Sequence, residues 1–131
     1  MIVLDASAVL ELLLRRPAGD TLRERVSARD ETLHAPHLLD IEVTQVLRRY
    51  YLAGHLSAER GREALEDLAD LDVRRYPHDV FLSRVWELRS SVTAYDAVYL
   101  ALAEVLGAPL VTLDRRLASA RGHRARIELV R

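Results

Sequence analysis

Four acidic residues, each set in or beside an apolar segment, are the side chains of this sequence best suited to chemistry. Asp5 and Asp114 each follow a short apolar run, Asp96 opens the longest apolar helix that the sequence predicts, and Glu42 lies among leucine and valine residues. Acidic side chains are rarely buried unless a cation balances them. The chain has no lysine, and none of the four acids has an arginine at helical spacing. A divalent metal ion is the simplest balancing partner, which points to phosphate chemistry.

Each of these acids also has a purely structural explanation. Asp5 and Asp114 precede predicted helices, so either could serve only as a helix N-cap. Asp96 closes the stretch Thr93-Ala94-Tyr95-Asp96, which fits a capping box. Glu42 is harder to explain as a surface residue, because three of its four neighbours at helical spacing are apolar. The coincidence of four such acids, more than any one of them, favours a common site.

The other groups of reactive residues do not complete a known type of site. His34 and His37 have no third metal ligand at helical spacing, and no glycine-rich phosphate loop is present. A phosphatase of the haloacid-dehalogenase type requires Asp-x-Asp after its first strand, where this chain has Asp5-Ala6-Ser7. A two-component receiver requires a lysine near its acidic pocket. The absence of cysteine excludes thiolate catalysis, disulfides and cysteine-based zinc sites.

Length and composition predict one compact domain. At 131 residues the chain is too short for a second core, so residues 1–131 are expected to form a single domain. Hydrophobic residues make up 50% of the chain, which excludes a disordered protein. Neither a targeting leader nor an apolar run of membrane length is recognisable, so we expect a soluble, cytoplasmic protein. A net charge of −1 means that binding to nucleic acid would need a local basic patch.

Apolar segments of strand length alternate with helical segments along the whole chain. This alternation predicts parallel strands joined by right-handed crossovers, and hence a three-layer α/β/α sandwich with a mainly parallel central sheet. The predicted strands are 2–5, 32–35, 73–76, 109–113 and 126–130, and the predicted helices are 6–14, 19–28, 37–53, 57–71, 79–90, 94–106 and 115–120. Ligands of such sheets bind at the carboxyl ends of the strands. Asp5 and Asp114 should meet there if their strands are neighbours.

Several stretches of this sequence resemble the PIN-domain family. Residues 2–8, Ile2-Val3-Leu4-Asp5-Ala6-Ser7-Ala8, are similar to the first strand and turn of that family, and residues 42–49 are similar to it as well. The strongest resemblance runs through residues 93–103 and 107–114. The first of these stretches contains Asp96, and the second ends at Asp114. These stretches span the chain, and their order and spacing look closest to the VapC-type toxins of bacterial toxin–antitoxin pairs.

The resemblance implies an acidic quartet that binds a divalent metal ion, formed by Asp5, Glu42, Asp96 and Asp114. Ser7 and Thr112 match the small hydroxyl positions beside this quartet, where they would fix the carboxylate rotamers. Gln45 departs from the family, since many relatives carry asparagine one turn after the glutamate. Both residues are amides, so we expect a shifted hydrogen bond near the site and retained activity.

Hydrolysis of a phosphodiester needs an activated water and a counter-charge for the developing negative oxygens, and Mg²⁺ or Mn²⁺ supplies both. Because Mg²⁺ keeps several waters, two or three carboxylates suffice. We expect Asp5 and Asp96 to be direct ligands, with Asp114 bound directly or through water. Glu42 would then hold a water or a second ion. Without metal, carboxylates that share one small pocket repel one another, so at least one should have a raised pKa.

The activity that the resemblance implies is that of an endoribonuclease acting on structured RNA such as tRNA or rRNA, leaving a 5′-phosphate and a 3′-hydroxyl. RNA can approach an acidic site only if cations surround it, and Arg115 and Arg116, directly after Asp114, are the first candidates. The resemblance also implies a VapB-type antitoxin that blocks the site and a toxin that forms a homodimer. The amphipathic helices 19–28 and 57–71 are expected to offer surface to such partners.

Two other functions stay open on the residues alone. A catalytically silent PIN-like module could bind RNA or a protein partner, and a metal-dependent phosphatase could act on small phosphomonoesters. Metal-dependent cleavage of total RNA that is lost in Asp5→Ala would exclude the silent module. Turnover of a small phosphomonoester would instead favour the phosphatase.

Overall fold

The computed structural model describes all 131 residues, and its elements follow the predicted order. The strands are β1 (Ile2–Leu4), β2 (Leu33–Pro36), β3 (Val73–Tyr76), β4 (Leu110–Thr112) and β5 (Ile127–Leu129). The α-helices are α1 (Ala6–Leu13), α2 (Ala18–Val26), α3 (Leu38–Leu52), α4 (Ala58–Asp70), α5 (Leu82–Glu87), α6 (Ala94–Leu106) and α7 (Arg115–Ala118). A 3₁₀ turn at Asp79–Phe81 leads into α5.

The five strands form one parallel sheet in the order β3-β2-β1-β4-β5. From β1 the chain builds outward through β2 to β3, and it then returns to the other side of β1 to form β4 and β5. The strand order therefore reverses between β1 and β4. In open parallel sheets this reversal point is where ligands bind, because the helices that follow the two strands leave toward opposite faces.

Each face of the sheet carries its own helices and its own core. Helices α1 to α4 pack on one face around Ile2 and Leu4, whereas α5, α6 and α7 pack on the other face around Val3 and Leu110. Successive residues of a strand point to opposite faces, so β1 contributes to both cores and is buried along its whole length. The predicted three-layer α/β/α sandwich is thereby confirmed. None of the helices combines the length and the apolar character needed to cross a lipid bilayer.

The helix predicted for residues 79–90 is shorter than expected. It begins as the 3₁₀ turn, continues as α5 and ends at Glu87, after which the N–H of Ser91 bonds the carbonyl of Leu88 in a turn. Serine is a poor residue for a helix interior because its hydroxyl competes for backbone groups. The serine pair at 90–91 therefore favours the turn that leads the chain back to α6.

Most large apolar side chains at the surface lie on α3, on the turn before α5 with α5 itself, and on α6. They are Ile41, Tyr51, Leu52, Val80, Leu82, Trp86, Tyr95 and Val105, with Leu65 on α4. The sequence of α6 is apolar nearly all round and predicts a core helix, but Val105 in its last turn is 72% exposed. Helix α2 exposes no large apolar side chain. Of the two amphipathic helices predicted to face partners, only the one at 57–71 therefore carries exposed apolar surface.

The N-terminus of α3 is capped by a residue from a distant part of the sequence. His37, the N-cap residue, makes no side-chain hydrogen bond to the helix. Instead, Nε2 of His78 accepts the N–H of Leu38 at 2.9 Å. This bond requires that His78 carry its proton on the other ring nitrogen. It fixes the start of α3, which carries Glu42 one turn later.

We predict that His78→Ala lowers the free energy of unfolding by about 1 kcal/mol, the usual effect of losing a helix cap. The reason is that the N–H of Leu38 loses its acceptor. Urea unfolding followed by circular dichroism measures the change. His55→Ala, at an exposed turn position after α3, is the matched control and should be neutral. Equal stability of the two variants would show that water replaces the His78 cap without loss.

Candidate active site at the carboxyl edge of the sheet

The carboxyl ends of β1 and β4 bring the first two acids together. The two strands pair in parallel, with Leu4 opposite Val111. Asp5 comes next on β1, and its N–H bonds the carbonyl of Val111 at 3.4 Å. Asp114 lies two residues beyond the end of β4. The two strands are neighbours, which is the condition under which Asp5 and Asp114 were expected to approach each other.

Asp5 is 6% exposed and is held by three donors. The N–H of Ala8 at 3.0 Å and the hydroxyl of Ser7 at 2.6 Å donate to Oδ1, and the hydroxyl of Thr112 donates to Oδ2. Ser7 Oγ also accepts the N–H of Leu113 at 3.0 Å, which ties the turn after β1 to the end of β4. Each hydroxyl has a single hydrogen. Because both hydrogens go to Asp5, its carboxylate is fixed in one orientation.

The two carboxylate oxygens of Asp114 differ in their contacts, because only Oδ1 accepts hydrogen bonds from the backbone. Oδ1 accepts the N–H groups of Arg116 at 2.9 Å and Leu117 at 3.3 Å, which makes Asp114 the N-cap of α7. The N–H of Asp114 donates to Thr112 Oγ1 at 3.0 Å, so Thr112 touches both strand-end acids. The cap occupies only Oδ1 and leaves Oδ2 available to a ligand. The capping interpretation and the site interpretation are therefore compatible.

Glu42 comes to the site from α3, on the opposite face of the sheet from α6. Its carboxylate oxygen Oε1 accepts the hydroxyl of Tyr99 at 2.6 Å, across the boundary between the two helical layers. Tyr99 is 1% exposed and lies one turn after Asp96 on α6. The nearby Asp40 is engaged elsewhere, in a bidentate ion pair with Arg75 at 2.7 and 2.9 Å.

Asp96 lies in the first turn of α6 and is half-buried. The hydroxyl oxygen of Thr93 accepts the N–H of Asp96 at 3.2 Å, so Thr93 caps the helix as the sequence motif predicts. The charge of Asp114 raises the pKa of Asp96, and the charge of Arg116 lowers it. Asp96 therefore lies within electrostatic reach of the end of β4 and the start of α7.

Burial raises the pKa values of Asp5, Glu42 and Asp96. Like charges add smaller upward shifts, from Asp114 on Asp5 and Asp96 and from Asp5 and Asp96 on Glu42. These mutual effects make the four acids one electrostatic unit. The raised pKa expected from the sequence is confirmed, and repulsion between the carboxylates contributes to it as expected, but burial is the larger cause.

None of the four acids takes part in a salt bridge. Their donors are hard carboxylate oxygens supported by hydroxyls, which suit Mg²⁺ or Mn²⁺ and not a soft metal. No three acidic or histidine side chains lie close enough to form a ready-made metal cluster. The carboxylates are therefore farther apart than in the single small pocket that the sequence led us to expect. The residues fit an ion that keeps several of its own waters.

None of the five principal cavities is lined by any of the four acids. The largest, of about 620 Å³, lies between α1, α2 and α4. Small-molecule sites are usually concave pockets that enclose most of their ligand. The acids instead lie at the carboxyl edge of the sheet, outside these five cavities.

The two arginines that were expected to border the site, Arg115 and Arg116, differ in their relation to the acids. Arg116 is near enough to Asp96 to lower its pKa, whereas Arg115 is simply exposed beside it on α7. Arg116 is the cation with the closest relation to the acidic edge.

Tyr99 is the residue of the site that sequence reasoning missed. The signal was its spacing of three residues from Asp96, which puts both on one side of α6. Its apolar neighbours concealed that signal, because they predict a core position. Gln45, for which a hydrogen bond near the site was expected, is exposed on α3, and Glu42 bonds to Tyr99 instead.

Comparison with known proteins agrees with this arrangement of strands and acids. The sequence profile of the PIN domain matches residues 2–122. The chain belongs to the PIN-domain family. Among the relatives of this PIN domain, Ribonuclease VapC12 of Mycobacterium tuberculosis is 46% identical over 130 residues, covering 99% of each chain. Ribonuclease VapC1 of the same species is 44% identical over 130 residues, covering 98% of this chain and 97% of the relative.

Solved structures share the fold at lower identity. The VapBC2 structure from Rickettsia felis, bound to a DNA fragment from their promoter, superposes on the PIN domain with a TM-score of 0.72 at 13% identity, over 100% of both chains. PAE2754 from Pyrobaculum aerophilum superposes with a TM-score of 0.68 at 28% identity, over 96% of this chain and 81% of that one. The resemblance inferred from the sequence motifs is confirmed.

We predict that Asp96→Asn stabilises the PIN domain in chelator at neutral pH. A carboxyl whose folded-state pKa is raised contributes stability that is full below about pH 4 and is lost as pH rises through the folded value. An amide has no charge to bury at any pH. Because Asp96 is half-exposed, the gain should be about 1 kcal/mol, or roughly 3–5 °C in melting temperature.

Thermal melts at neutral pH and at pH 3 measure this effect, and the advantage of the variant should vanish at the lower pH. Asp40→Asn is the matched control, because it breaks the ion pair with Arg75 and should not stabilise the protein. A wild type more stable than Asp96→Asn at neutral pH would mean that Asp96 serves only as a helix-terminal residue.

Proposed function

We propose that this protein is a metal-dependent endoribonuclease and the toxin of a toxin–antitoxin pair. The observation that carries the proposal is the electrostatic coupling of four carboxylates from β1, α3, α6 and the end of β4 along one sheet edge, with no salt bridge to any of them. Relatives named as VapC ribonucleases, 44–46% identical over nearly the whole chain, support the same activity. We expect it to act in the cytoplasm, where its RNA substrates are.

Asp5, Asp96 and Asp114 are the residues that would hold Mg²⁺ or Mn²⁺. When bound, such an ion lowers the pKa of a water and balances the charge that develops on the phosphate oxygens. The family resemblance and the oxygen-only donor set support this assignment. Burial without a salt bridge supports it as well, because a carboxylate in that setting gains from a cation.

The chain's own residues have distinct tasks in this scheme. Ser7 and Thr112 hold the carboxylate of Asp5 in one orientation through their hydroxyls. Asp114 is held by the α7 N-terminus and keeps one oxygen for a ligand. Glu42 keeps one oxygen free of the Tyr99 bond and would accept a proton from the attacking water or orient that water.

Relatives named as ribonucleases favour RNA over a small phosphomonoester as the substrate, and none of the five principal cavities is lined by the acids. A phosphatase for small substrates would need a pocket that encloses them. Structured RNA such as tRNA or rRNA is the substrate class we propose. VapC20 of Mycobacterium tuberculosis, a solved structure described as a sarcin–ricin loop cleaving toxin, shares the fold with a TM-score of 0.68.

A VapB-type antitoxin and a second copy of the toxin are the partners we propose. The solved relatives include VapBC2 of Rickettsia felis and FitAcB of Neisseria gonorrhoeae. Exposed apolar side chains on α3, α5 and α6 offer surface for such partners, since patches of this kind on soluble proteins commonly mark interfaces.

We predict that Asp5→Asn, Asp96→Asn and Asp114→Asn each remove most RNA cleavage while preserving the fold. Asp96→Asn is the sharpest of the three, because Asp5 and Asp114 also cap α1 and α7. The measurement is the set of new 5′-phosphate ends in total RNA after brief expression, followed by cleavage of a mapped site in vitro with Mn²⁺ or with chelator. Mn²⁺ should raise the melting temperature of the wild type and raise it far less in Asp96→Asn.

Asp40→Asn, on α3 but outside the site, should cleave as the wild type does. Retained cleavage in Asp96→Asn would contradict the metal-site assignment. A wild type that binds RNA without cleaving it at any divalent ion would favour the silent binding module instead.

We predict that neutralising Arg115 and Arg116 weakens RNA binding and flattens its dependence on salt. Each lost phosphate contact should reduce the slope of log K against log salt by about 0.7–0.9. Arg116→Gln alone should have the larger effect, because Arg116 lies nearer Asp96. Binding is measured by fluorescence anisotropy in chelator over a series of salt concentrations. Arg29→Gln, exposed before β2 at the opposite edge of the sheet, is the control, and an unchanged slope in the double variant would make both arginines ordinary surface residues.

A further inference from the structure

The Glu42 carboxylate is held by a single hydrogen bond, fewer than hold the strand-end acids Asp5 and Asp114. Asp5 receives three hydrogen bonds and Asp114 receives two from the backbone of α7. Glu42 has one more side-chain torsion than an aspartate and receives a single hydrogen bond, from Tyr99. The position of its carboxylate therefore depends on that bond.

Tyr99 offers a fixed point from which to hold a carboxylate. It is 1% exposed within the run of α6 from Ala97 to Ala103, every residue of which is buried. Its ring has only two torsions, and both are restricted by that packing. Hydrogen bonds to a charged acceptor are roughly twice as strong as neutral ones, and 2.6 Å is a typical length for them. The bond ties a flexible side chain on α3 to the most buried helix of the fold.

Helix α6 thereby carries two elements of the site. Asp96 and Tyr99 are three residues apart, so both lie on the side of the helix that faces the carboxyl edge. Asp96 enters the site directly, and Tyr99 reaches across to Glu42 in the opposite helical layer. Helix α6 therefore positions both acids that lie on helices, because it carries Asp96 and holds Glu42 through Tyr99.

We propose that Tyr99 is a positioning residue for RNA cleavage, which fixes Glu42 through its Oε1 so that Oε2 meets the attacking water at a set place. Tyr99 does not contact the substrate, and its phenol keeps its proton as a donor. The inference rests on the proposed ribonuclease function. It assigns to a core tyrosine a task that the acidic quartet alone does not include.

A purely structural role for the same bond has different consequences. A buried tyrosine hydroxyl needs an acceptor, and Glu42 could serve only that need. Loss of the hydroxyl would then change stability and leave turnover alone. If Tyr99 positions Glu42, its loss should reduce turnover, and only in a protein that still has the Glu42 carboxylate.

The test is Tyr99→Phe, which removes one oxygen and preserves the ring. Turnover is measured on a fluorogenic RNA oligonucleotide that carries a cleavage site mapped in total RNA, with Mn²⁺. We expect kcat to fall roughly 10- to 100-fold, the usual effect of removing a residue that orients a metal-site group. KM, the Kd for RNA in chelator and the Mn²⁺-induced rise in melting temperature should stay within about twofold of wild type. Tyr76→Phe is the matched control and should cleave normally, because it removes a hydroxyl that hydrogen-bonds His34 Nδ1 at 2.7 Å and none of the four acids.

Glu42→Gln provides the second arm. In that background Tyr99→Phe should reduce the remaining kcat by less than about twofold, because the group it positions is already inactive. Full activity of Tyr99→Phe in an active wild-type background would overturn the inference, as would equal losses in the two backgrounds. A fall in kcat matched by a large drop in melting temperature would assign Tyr99 to packing. A wild type that cleaves no RNA would instead refute the proposed function, a result that is distinct because it appears before any variant is made.

Discussion

The parallel pairing of β1 with β4 is the contact on which the rest of the site depends. It lies where the strand order reverses, so the segments that follow the two strands separate and expose the edge between them. Asp5 and Thr112 become neighbours through this pairing, although 107 positions separate them in the sequence. Two hydrogen bonds then link the ends of the strands: the Thr112 hydroxyl donates to Asp5, and the Ser7 hydroxyl accepts the N–H of Leu113. A shift in the register of these two strands would dissolve the hydrogen-bond network around Asp5.

Burying carboxylates without a salt bridge is the main electrostatic cost of this arrangement. Desolvation is the largest contribution to the raised pKa of Asp5, Glu42 and Asp96, and the hydroxyl bonds of Ser7, Thr112 and Tyr99 offset only part of it. Other acids of the chain avoid this cost through ion pairs, as Glu104 does with Arg84. Acids left in such a state are common at functional sites, where a bound cation or substrate supplies the missing compensation.

The two helical layers contribute to the site in different ways. Helix α3 is held by two residues from distant parts of the sequence. His78 caps its first turn, and Tyr99 hydrogen-bonds its functional side chain, Glu42. Helix α6 is capped by its own Thr93 and is buried along seven consecutive residues, Ala97 to Ala103. The site is therefore organised from α6 and the strand ends outward, with α3 attached to that frame by side-chain hydrogen bonds.

The sequence by itself determined the alternation of strands and helices, the caps at Asp5, Thr93 and Asp114, and the four acids with their hydroxyl neighbours. These features are local, because helical and strand periodicity and capping depend on residues a few positions apart. The tertiary structure decided what depends on distant partners. Examples are the bond from Tyr99 to Glu42, the cap that His78 provides to α3 and the greater proximity of Arg116 than Arg115 to Asp96.

The same distinction explains where sequence reasoning failed. Val105 lies in a helix whose sequence is apolar nearly all round, yet its side chain is exposed in the folded chain. Tyr99 has the surroundings of a core residue, and only the approach of α3 gives its hydroxyl a carboxylate. The carboxylates were expected in one tight pocket, but their spacing depends on how two layers of helices pack against the sheet edge. Packing of this kind is distributed over many weak contacts between distant segments, so no short stretch of sequence encodes it.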